Sequence, residues 1–395
     1  MRLPFVTTNG SPGPRALLAR LIAFDTTSRN SNLALIDFVR DYLDGLGIAS
    51  ELVFDDTGEK ANLIATIGPP DRAGIVLSGH TDVVPVDGQD WSSDPFVCTE
   101  RDGRLLGRGS ADMKGFVATV LALVPEFRAQ KLQAPLHLAL SYDEEVGCKG
   151  VPRLLDRLAE RLAVPPQGCV VGEPTGMRLA NGHKGKAGFV CTVRGLESHS
   201  ALNHQGVNAI EIAAEIIARL RRMNFEFQAR GPYALGFEPP HCTVSTGVIE
   251  GGSALNIVPN HCRFEFEFRS LPGQSNQGLL EEVRAFAETE LLPGMRARHP
   301  AAAIAWSSLM SYPALGSGTI SDIERLCRRL CGTERPAKLS FGTEAGHFAA
   351  RGIPAVVCGP GDIKVAHKPD EYVEIEQLES CADFLRRLVG EALAA

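Results

Sequence analysis

Ser78-Gly79-His80-Thr81-Asp82 follows a short apolar run, Ile75-Val76-Leu77, bounded by Gly74 and Gly79. Such a run predicts a buried strand. Its end sets an imidazole and a carboxylate two positions apart, on the same side of an extended chain. That spacing suits a histidine that ligates a metal while the neighbouring acid orients the site from behind. His-x-Asp recurs by chance in many chains, so its weight depends on what stands at the other strand ends.

Upstream, apolar residues at helical spacing predict helices over 14–24 and 32–46 (Ile36, Val39, Leu43, Leu46), the second with Ser31 or Asn32 as its cap. Strands are expected over 61–67 and 75–77. Residues 103–109 are glycine-rich but lack the spacing of a phosphate-binding loop, so no nucleotide role is assigned to them. Asp112-Met113-Lys114-Gly115 opens a helix over 116–130, and a strand over 136–142 runs into Asp143-Glu144-Glu145. A helix over 152–162 precedes Cys169-Val170-Val171, which ends in Gly172-Glu173-Pro174. Strands alternating with helices predict an α/β layer around a mainly parallel sheet.

The pattern changes after Lys184. Strands over 188–194, 242–249, 261–269 and 301–307 and helices over 207–223 and 276–291 follow the order β-α-β-β-α-β, that of a ferredoxin-like split unit. The stretch 261–269 alternates strictly, with Cys262, Phe264, Phe266 and Phe268 on one face and Arg263, Glu265, Glu267 and Arg269 on the other. The first pattern then resumes with a helix over 321–330, an apolar run over 355–358, a Gly-Pro-Gly turn, His367 and a terminal helix. The expected organisation is a catalytic domain in two parts, 1–184 and 312–395, interrupted by a lid or dimerisation domain over 185–311.

At 395 residues two domains are expected. A net charge of -7 with no basic stretch argues against a nucleic-acid partner. No apolar run reaches the roughly 18 residues a bilayer requires, and Met1-Arg2-Leu3-Pro4-Phe5 does not start a secretory leader. A cytoplasmic protein without a membrane partner is expected. The 10 cysteines are scattered, several inside apolar runs, and read as buried reduced thiols. Cys327 and Cys331 stand at helical spacing with no second ligand pair nearby and read as packing.

His80, Asp112, Glu145, Glu173 and His367 all fall at or just beyond predicted strand ends. Parallel α/β sheets collect ligands at the carboxyl ends of their strands, so these positions can converge across nearly the whole chain. Two imidazoles and three carboxylates can hold two divalent ions about 3.5–4 Å apart if one carboxylate bridges. Asp112, short and next to Gly109, Ser110 and Ala111, is the natural bridge. Mixed nitrogen and oxygen ligands suit zinc, with cobalt or manganese as substitutes. Adjacent acids at Glu144-Glu145 allow one to bind metal and the other to take a proton, although such a pair also suits a helix N-terminus.

Ser-Gly-His-Thr-Asp-Val-Val-Pro, Gly-Ser-Ala-Asp-Met-Lys-Gly, Asp-Glu-Glu and Gly-Glu-Pro-Thr, in that order, resemble the successive motifs of the co-catalytic two-metal peptidase and deacetylase family. The resemblance runs over essentially the whole chain. It implies that His80, Asp112 and Glu173 hold one metal and Asp112, Glu145 and His367 the other. It also implies Asp82 as the partner behind His80, Glu144 as general acid/base, and a cis peptide after Asp112. His183-Lys184-Gly185, Gly342-Thr343-Glu344-Ala345 and Gly359-Pro360-Gly361 leading to Ala366-His367-Lys368-Pro369-Asp370-Glu371 resemble the branch that cleaves the acetyl amide of N2-acetyl-L-ornithine. Other N-acyl-amino-acid deacylases, a succinyl-diaminopimelate desuccinylase and carboxypeptidases share the scaffold. A metal-free binding paralogue is disfavoured because the whole ligand set is present.

Three further assignments follow for substrate and partner. Arg269, with its planar fork, and Asn256, in a Gly-Gly-Ser-Ala-Leu-Asn loop, are expected at the substrate α-carboxylate, the alternative being an Arg269 paired with Glu265 or Glu267. Glu344 is expected at the ornithine ammonium, the alternative being a loop cap. His199, after the first lid strand, is expected to complete the partner subunit's site in a homodimer, as the resemblance implies, the alternative being a turn cap.

Overall fold

The longest apolar runs become the inner strands of an eight-stranded sheet in a computed structural model that describes residues 12–316 and 318–394. The chain forms two units. One takes the described residues up to Gly182, Leu315–Lys338 and those from Thr343 onward; the other takes His183–Ala314 with Leu339–Gly342.

In the first unit, Leu136–Ser141, Ile75–His80, Gly168–Val171 and Ala355–Val357 lie side by side and run parallel. Strands in that position are covered on both faces, which is why they read as unbroken apolar runs instead of alternating ones. The next strand on each side pairs antiparallel. Ser50–Phe54 and Ala61–Ile67 lie beyond Leu136–Ser141, and Ala180–His183 lies beyond Ala355–Val357, with Ala337–Leu339 at the far edge. The sheet is therefore mixed, with a parallel centre. The outer strands Ala180–His183 and Ala337–Leu339 are too short and polar to show a period.

Gly115–Ala129 is buried on nearly every side, and its Val117, Val124 and Phe127 join Leu21 and Ile22 of Pro14–Ile22 and Leu385 and Leu388 of Ile375–Ala392 in one core. The Leu33–Gly45 helix has Asn32 at its N-cap position, but without a side-chain cap. Asn32 instead bonds Ala61 through its amide nitrogen (2.9 Å) and its oxygen (3.0 Å), fastening the helix start to the sheet. Ser31 Oγ accepts from Leu33 N at 3.2 Å in its place. One close approach decides where the strand ends meet: a Cβ on Gly359 would lie 2.0 Å from the carbonyl oxygen of Gly172. Only glycine permits the turn after Ala355–Val357 to press against the residue preceding Glu173.

The second unit has four antiparallel strands in the order Thr243–Gly251, His261–Ser270, Gly185–Arg194, Ala303–Tyr312. The connecting helices Ala209–Arg230 and Asn276–Phe286 complete the ferredoxin-like order, each opened by a side-chain cap, Asn208 and Ser275. The alternation over 261–269 holds: Cys262, Phe264, Phe266 and Phe268 are buried, the intervening charged residues half-buried. Phe266 packs against Phe189 (centroids 5.6 Å apart) and edge-on to Trp306 (6.1 Å). The helix after Phe286 continues through Leu291 into Leu292–Arg298, and the last strand runs on to Tyr312. Among the described residues no helix is long and apolar enough to cross a membrane, and all 10 cysteines are free thiols.

Phe264 is fully buried in this second core. Phe264→Ala is expected to cost about 3–5 kcal/mol in chemical denaturation, as large-to-small changes in tight cores do. A loss below ~1 kcal/mol would show that the face is not packed as described.

Candidate metal centre

The ligand side chains come from the ends of the inner strands. Ile75–His80 ends on His80, Leu136–Ser141 leads into Asp143-Glu144-Glu145, and Gly168–Val171 leads into Gly172-Glu173. Asp112 projects from the turn before Gly115–Ala129, where the Asp112–Met113 peptide is cis. His367 follows Ala355–Val357 in a loop and holds a left-handed backbone at φ 64°. Asp112 stands between the two imidazoles. Its Oδ1 is 3.0 Å from His80 Nε2 and its Oδ2 is 3.2 Å from His367 Nε2. His367 Nε2 is also 3.1 Å from Glu145 Oε1, and His80 Nε2 is 3.8 Å from Glu173 Oε1. Ligand atoms of His80, Asp112 and Glu145 lie within 4.8 Å of one another, and so do those of His80, Glu144 and Glu173.

A layer of hydrogen bonds fixes this arrangement. His80 Nδ1 lies 2.9 Å from the backbone carbonyl of Asp82 and 3.6 Å from its carboxylate. The backing of His80 is thus a peptide oxygen, and the Asp82 carboxylate serves the acid pair. Its Oδ1 accepts from Glu144 N (3.0 Å), and its Oδ2 accepts from Glu145 N (3.3 Å) and from Ser28 Oγ (2.6 Å). Lys60 Nζ holds Asp143 at 2.5 Å, just before the pair. Cys148 donates its thiol to Glu144 Oε1 at 3.3 Å. Ser28, Lys60 and Cys148 escaped the sequence reading because each lies outside the strand-end pattern and carries an ordinary side chain.

The electrostatics follow from crowding. Burial pushes Glu144 up to about 8, with His80 opposing and Glu145, Asp112 and Asp82 adding to the rise. Burial, then the Asp112 charge, carries Glu145 to about 7. Burial and the neighbouring acids also drive Glu173 well above the carboxylate range. Asp112 goes the other way: burial opposes its ionisation, but hydrogen bonds to His367 and His80 hold it well below the usual range. His367 is carried up to about 10 by its bonds to Asp112 and Glu145. Among the described residues, no Lys or Arg pairs with these four acids, and Glu173 Oε1 is buried with no hydrogen-bond partner. An excess of buried acid with an orphaned oxygen is what divalent cations would satisfy, so the donor set fits the ions that the sequence implies.

His199, Asn256 and Arg269 belong to the second unit. His199 is exposed, and its Nδ1 accepts from Ala201 N at 3.1 Å, so it caps a short turn. The Asn256 carbonyl accepts from Ser200 N at 3.0 Å in the same loop pair. Arg269 Nε donates to Glu267 at 2.9 Å on the half-buried strand face. Glu344 is fully buried and its two oxygens accept from Ser78 Oγ and Ser141 Oγ. Burial has raised its pKa, and both oxygens are engaged by the strands beneath the site.

Buried His80 and exposed His367, with four largely buried acids at the ends of a parallel-centred sheet, make a candidate site for divalent cations. Residues 76–391 match the model of Peptidase family M20/M25/M40, and the chain belongs to that family. It is 38% identical over 387 residues to an acetylornithine deacetylase from Myxococcus xanthus, covering 96% of this chain and 97% of that protein. An acetylornithine deacetylase from Pasteurella multocida (strain Pm70) is 31% identical over 373 residues, 91% of each chain. In fold it is similar to an M20 family metallo-carboxypeptidase from Sulfolobus solfataricus, with a TM-score of 0.72 at 18% identity, covering 94% of this chain and 97% of that one.

Metal uptake requires neutral imidazoles and ionised acids, so it must displace protons here. Glu145 and Glu144 have folded pKa values raised to about 7 and about 8. A raised folded value means the stability they contribute is present below their unfolded pKa and is lost as pH rises through the folded one. The metal-free protein is therefore expected to weaken between about pH 5 and 8, while metal affinity grows over the same interval. The Tm gap between zinc-loaded and metal-free protein should widen as pH rises. Parallel Tm curves across that interval would contradict this electrostatic account.

Proposed function

We propose that this protein holds two divalent ions and removes the acetyl group from N2-acetyl-L-ornithine, giving L-ornithine and acetate. The observation that carries the reading is the Asp112 carboxylate shared between His80 and His367, with Glu144 beside it. Acetylornithine deacetylases matched over nearly the full chain support the substrate. His80, Asp112 and Glu173 would hold one ion, and Asp112, Glu145 and His367 the other, zinc with cobalt as substitute.

Divalent ions at these positions would supply an acidified water and polarise the amide carbonyl. The chain's own contribution is proton transfer. Glu144 takes a proton from the attacking water on its carboxylate and delivers it to the leaving amine nitrogen. Its raised pKa suits a group that must both accept and give up a proton near neutrality. The Cys148 thiol and the Asp82 clamp on its backbone N–H orient it. Arg269 and Asn256 receive the substrate α-carboxylate, which requires Arg269 to exchange its bond to Glu267 for one to substrate. The protein acts as a homodimer in which His199 reaches the partner's site and stabilises the developing oxyanion. The exposed edge strand Thr243–Gly251 supports pairing between two copies. A place in arginine biosynthesis and a cytoplasmic setting go with this substrate, and 10 unpaired thiols fit a reducing compartment.

Glu144→Ala is expected to lower turnover by about 10²–10⁴-fold while both metals stay bound. Loss of metal instead would make Glu144 a ligand, which its nearness to His80 and Glu173 allows. A panel of N-acetylornithine, N-acetylcitrulline, N-acetylmethionine and succinyl-diaminopimelate with added zinc or cobalt tests the substrate, and preference for any of the last three overturns it. Mixing His199→Ala with Glu144→Ala protein should restore part of the activity, because one site then combines both intact residues. A mixture that remains inactive after demonstrated subunit exchange would sink the cross-subunit role.

A further inference from the structure

The loop carrying His367 is tied to the turn carrying Asp112 by one buried carboxylate. Glu371 Oε1 accepts from two consecutive backbone amides, Ala111 N at 3.0 Å and Asp112 N at 3.1 Å. Its Oε2 receives Arg108 Nη1 at 2.6 Å, and both side chains are 1% exposed. Arg108 reaches back toward His367 by two routes. Nη1 donates to the Lys368 carbonyl at 3.3 Å, and Nη2 donates at 2.5 Å to Gln89 Oε1, whose amide nitrogen donates to the His367 carbonyl at 2.9 Å. The Glu371 carbonyl also accepts from Gly107 N at 2.9 Å.

A buried ion pair repays its own desolvation poorly, so it is weak evidence for a stabilising device. What this pair touches is more telling. His80 and the Glu173 turn are placed by strands of the sheet, and Glu145 by Asp82. His367 has no such element behind it: it sits in a loop with a left-handed backbone that a non-glycine residue keeps only when its surroundings hold it there. The surroundings that do so are Gln89 and Arg108, and through Arg108 the Glu371 carboxylate.

We propose that Glu371 is a positioning residue that sets the Asp112 carboxylate and the His367 imidazole relative to each other. It rests on the two-position reading above. Its loss weakens the metal position built by Asp112, Glu145 and His367 more than the one built by His80, Asp112 and Glu173, because two of the three ligands in the first depend on it and only one in the second does. Both oxygens of Glu371 act as acceptors. A glutamine there has one acceptor and one donor, so it must present an N–H either to Arg108 or to the Ala111 and Asp112 amides.

The test is a titration of metal-free protein with Zn²⁺ against a chromogenic chelator, with Tm of the metal-free form recorded beside it. In Glu371→Gln one of two zinc affinities is expected to fall about 10–100-fold, with the other moving by less than ~3-fold. Arg108→Lys, which keeps the charge but lacks the fork, should show part of that loss. Glu324→Gln breaks another largely buried pair, with Arg328, and should lower Tm while leaving both affinities in place. Equal weakening of both positions in Glu371→Gln, or a fall in Tm with an unchanged titration, overturns the proposal. If that variant does not fold, Gln89→Ala removes the His367 tie together with the Arg108 and Trp91 bonds to Gln89 Oε1, leaves the Glu371 contacts to the Ala111 and Asp112 amides in place, and must still weaken the second position; an unchanged titration there overturns it too. Wild-type protein that takes up a single zinc ion overturns the two-position reading and the proposal with it, before any variant is compared.

Discussion

Four carboxylates confined with two imidazoles in a mostly buried site constrain everything around them. Asp112, Glu144, Glu145 and Glu173 cannot all ionise there without an opposing charge, and burial drives three of them toward the neutral form. The protein does not relieve this with lysine or arginine among the described residues. It leaves Glu173 Oε1 without a hydrogen-bond partner, matches Asp112 with both imidazoles and gives Glu145 a share of one. A core arranged in this way is incomplete by itself. The same burial that opposes ionisation makes each oxygen–cation contact strong once a divalent ion arrives. Stability and metal binding therefore draw on the same groups with opposite sign.

Repulsion among the ligands would spread them apart, so their backbones must be held. Two further acids do this by accepting from consecutive peptide N–H groups: Asp82 from Glu144 and Glu145, Glu371 from Ala111 and Asp112. A carboxylate that accepts two amide N–H groups fixes a turn as firmly as a short stretch of ladder, and its charge strengthens both bonds. Ser28 and Arg108 then complete the two clamps from outside. The carboxylates of this region thus divide by what they accept. Some face one another across the candidate metal centre, some grip backbone, and Glu344 accepts from the hydroxyls of Ser78 and Ser141.

That division explains what was readable in the sequence. The inner strands were legible because burial on both faces leaves long apolar runs, and the ligands because they sit where those runs stop. The phenylalanine alternation over 261–269 announced the second sheet in the same way. Ser50–Phe54, Ala180–His183 and Ala337–Leu339 were not legible: each is short or half-buried and borrows its strand character from a neighbour. The hydrogen-bond partners of Glu344 and Glu371 were hidden for one reason. An acid in a polar loop gives no sign whether it will meet a ligand, a serine or a peptide N–H, since its partners lie far away in sequence. Ser78 is 266 positions from Glu344, and Arg108 is 263 from Glu371.

Asn32 shows the same limit on a smaller scale and points to its physical origin. Its position predicted a helix cap, yet its amide bridges to Ala61 and to Thr81 Oγ1, and Thr81 in turn bonds the Ser141 carbonyl. A cap is worth about 1 kcal/mol and can be supplied by another group nearby; here Ser31 Oγ accepts from the Leu33 N–H. A link between the start of one helix and the ends of two strands has no local substitute, because only a side chain at that place can reach all three. Thr81 lies between His80 and Asp82, so the link bears on the metal ligand and on the clamp behind Glu144 together. Local propensity decided which elements form, and the need to hold like-charged ligands in place decided what the polar side chains between them do.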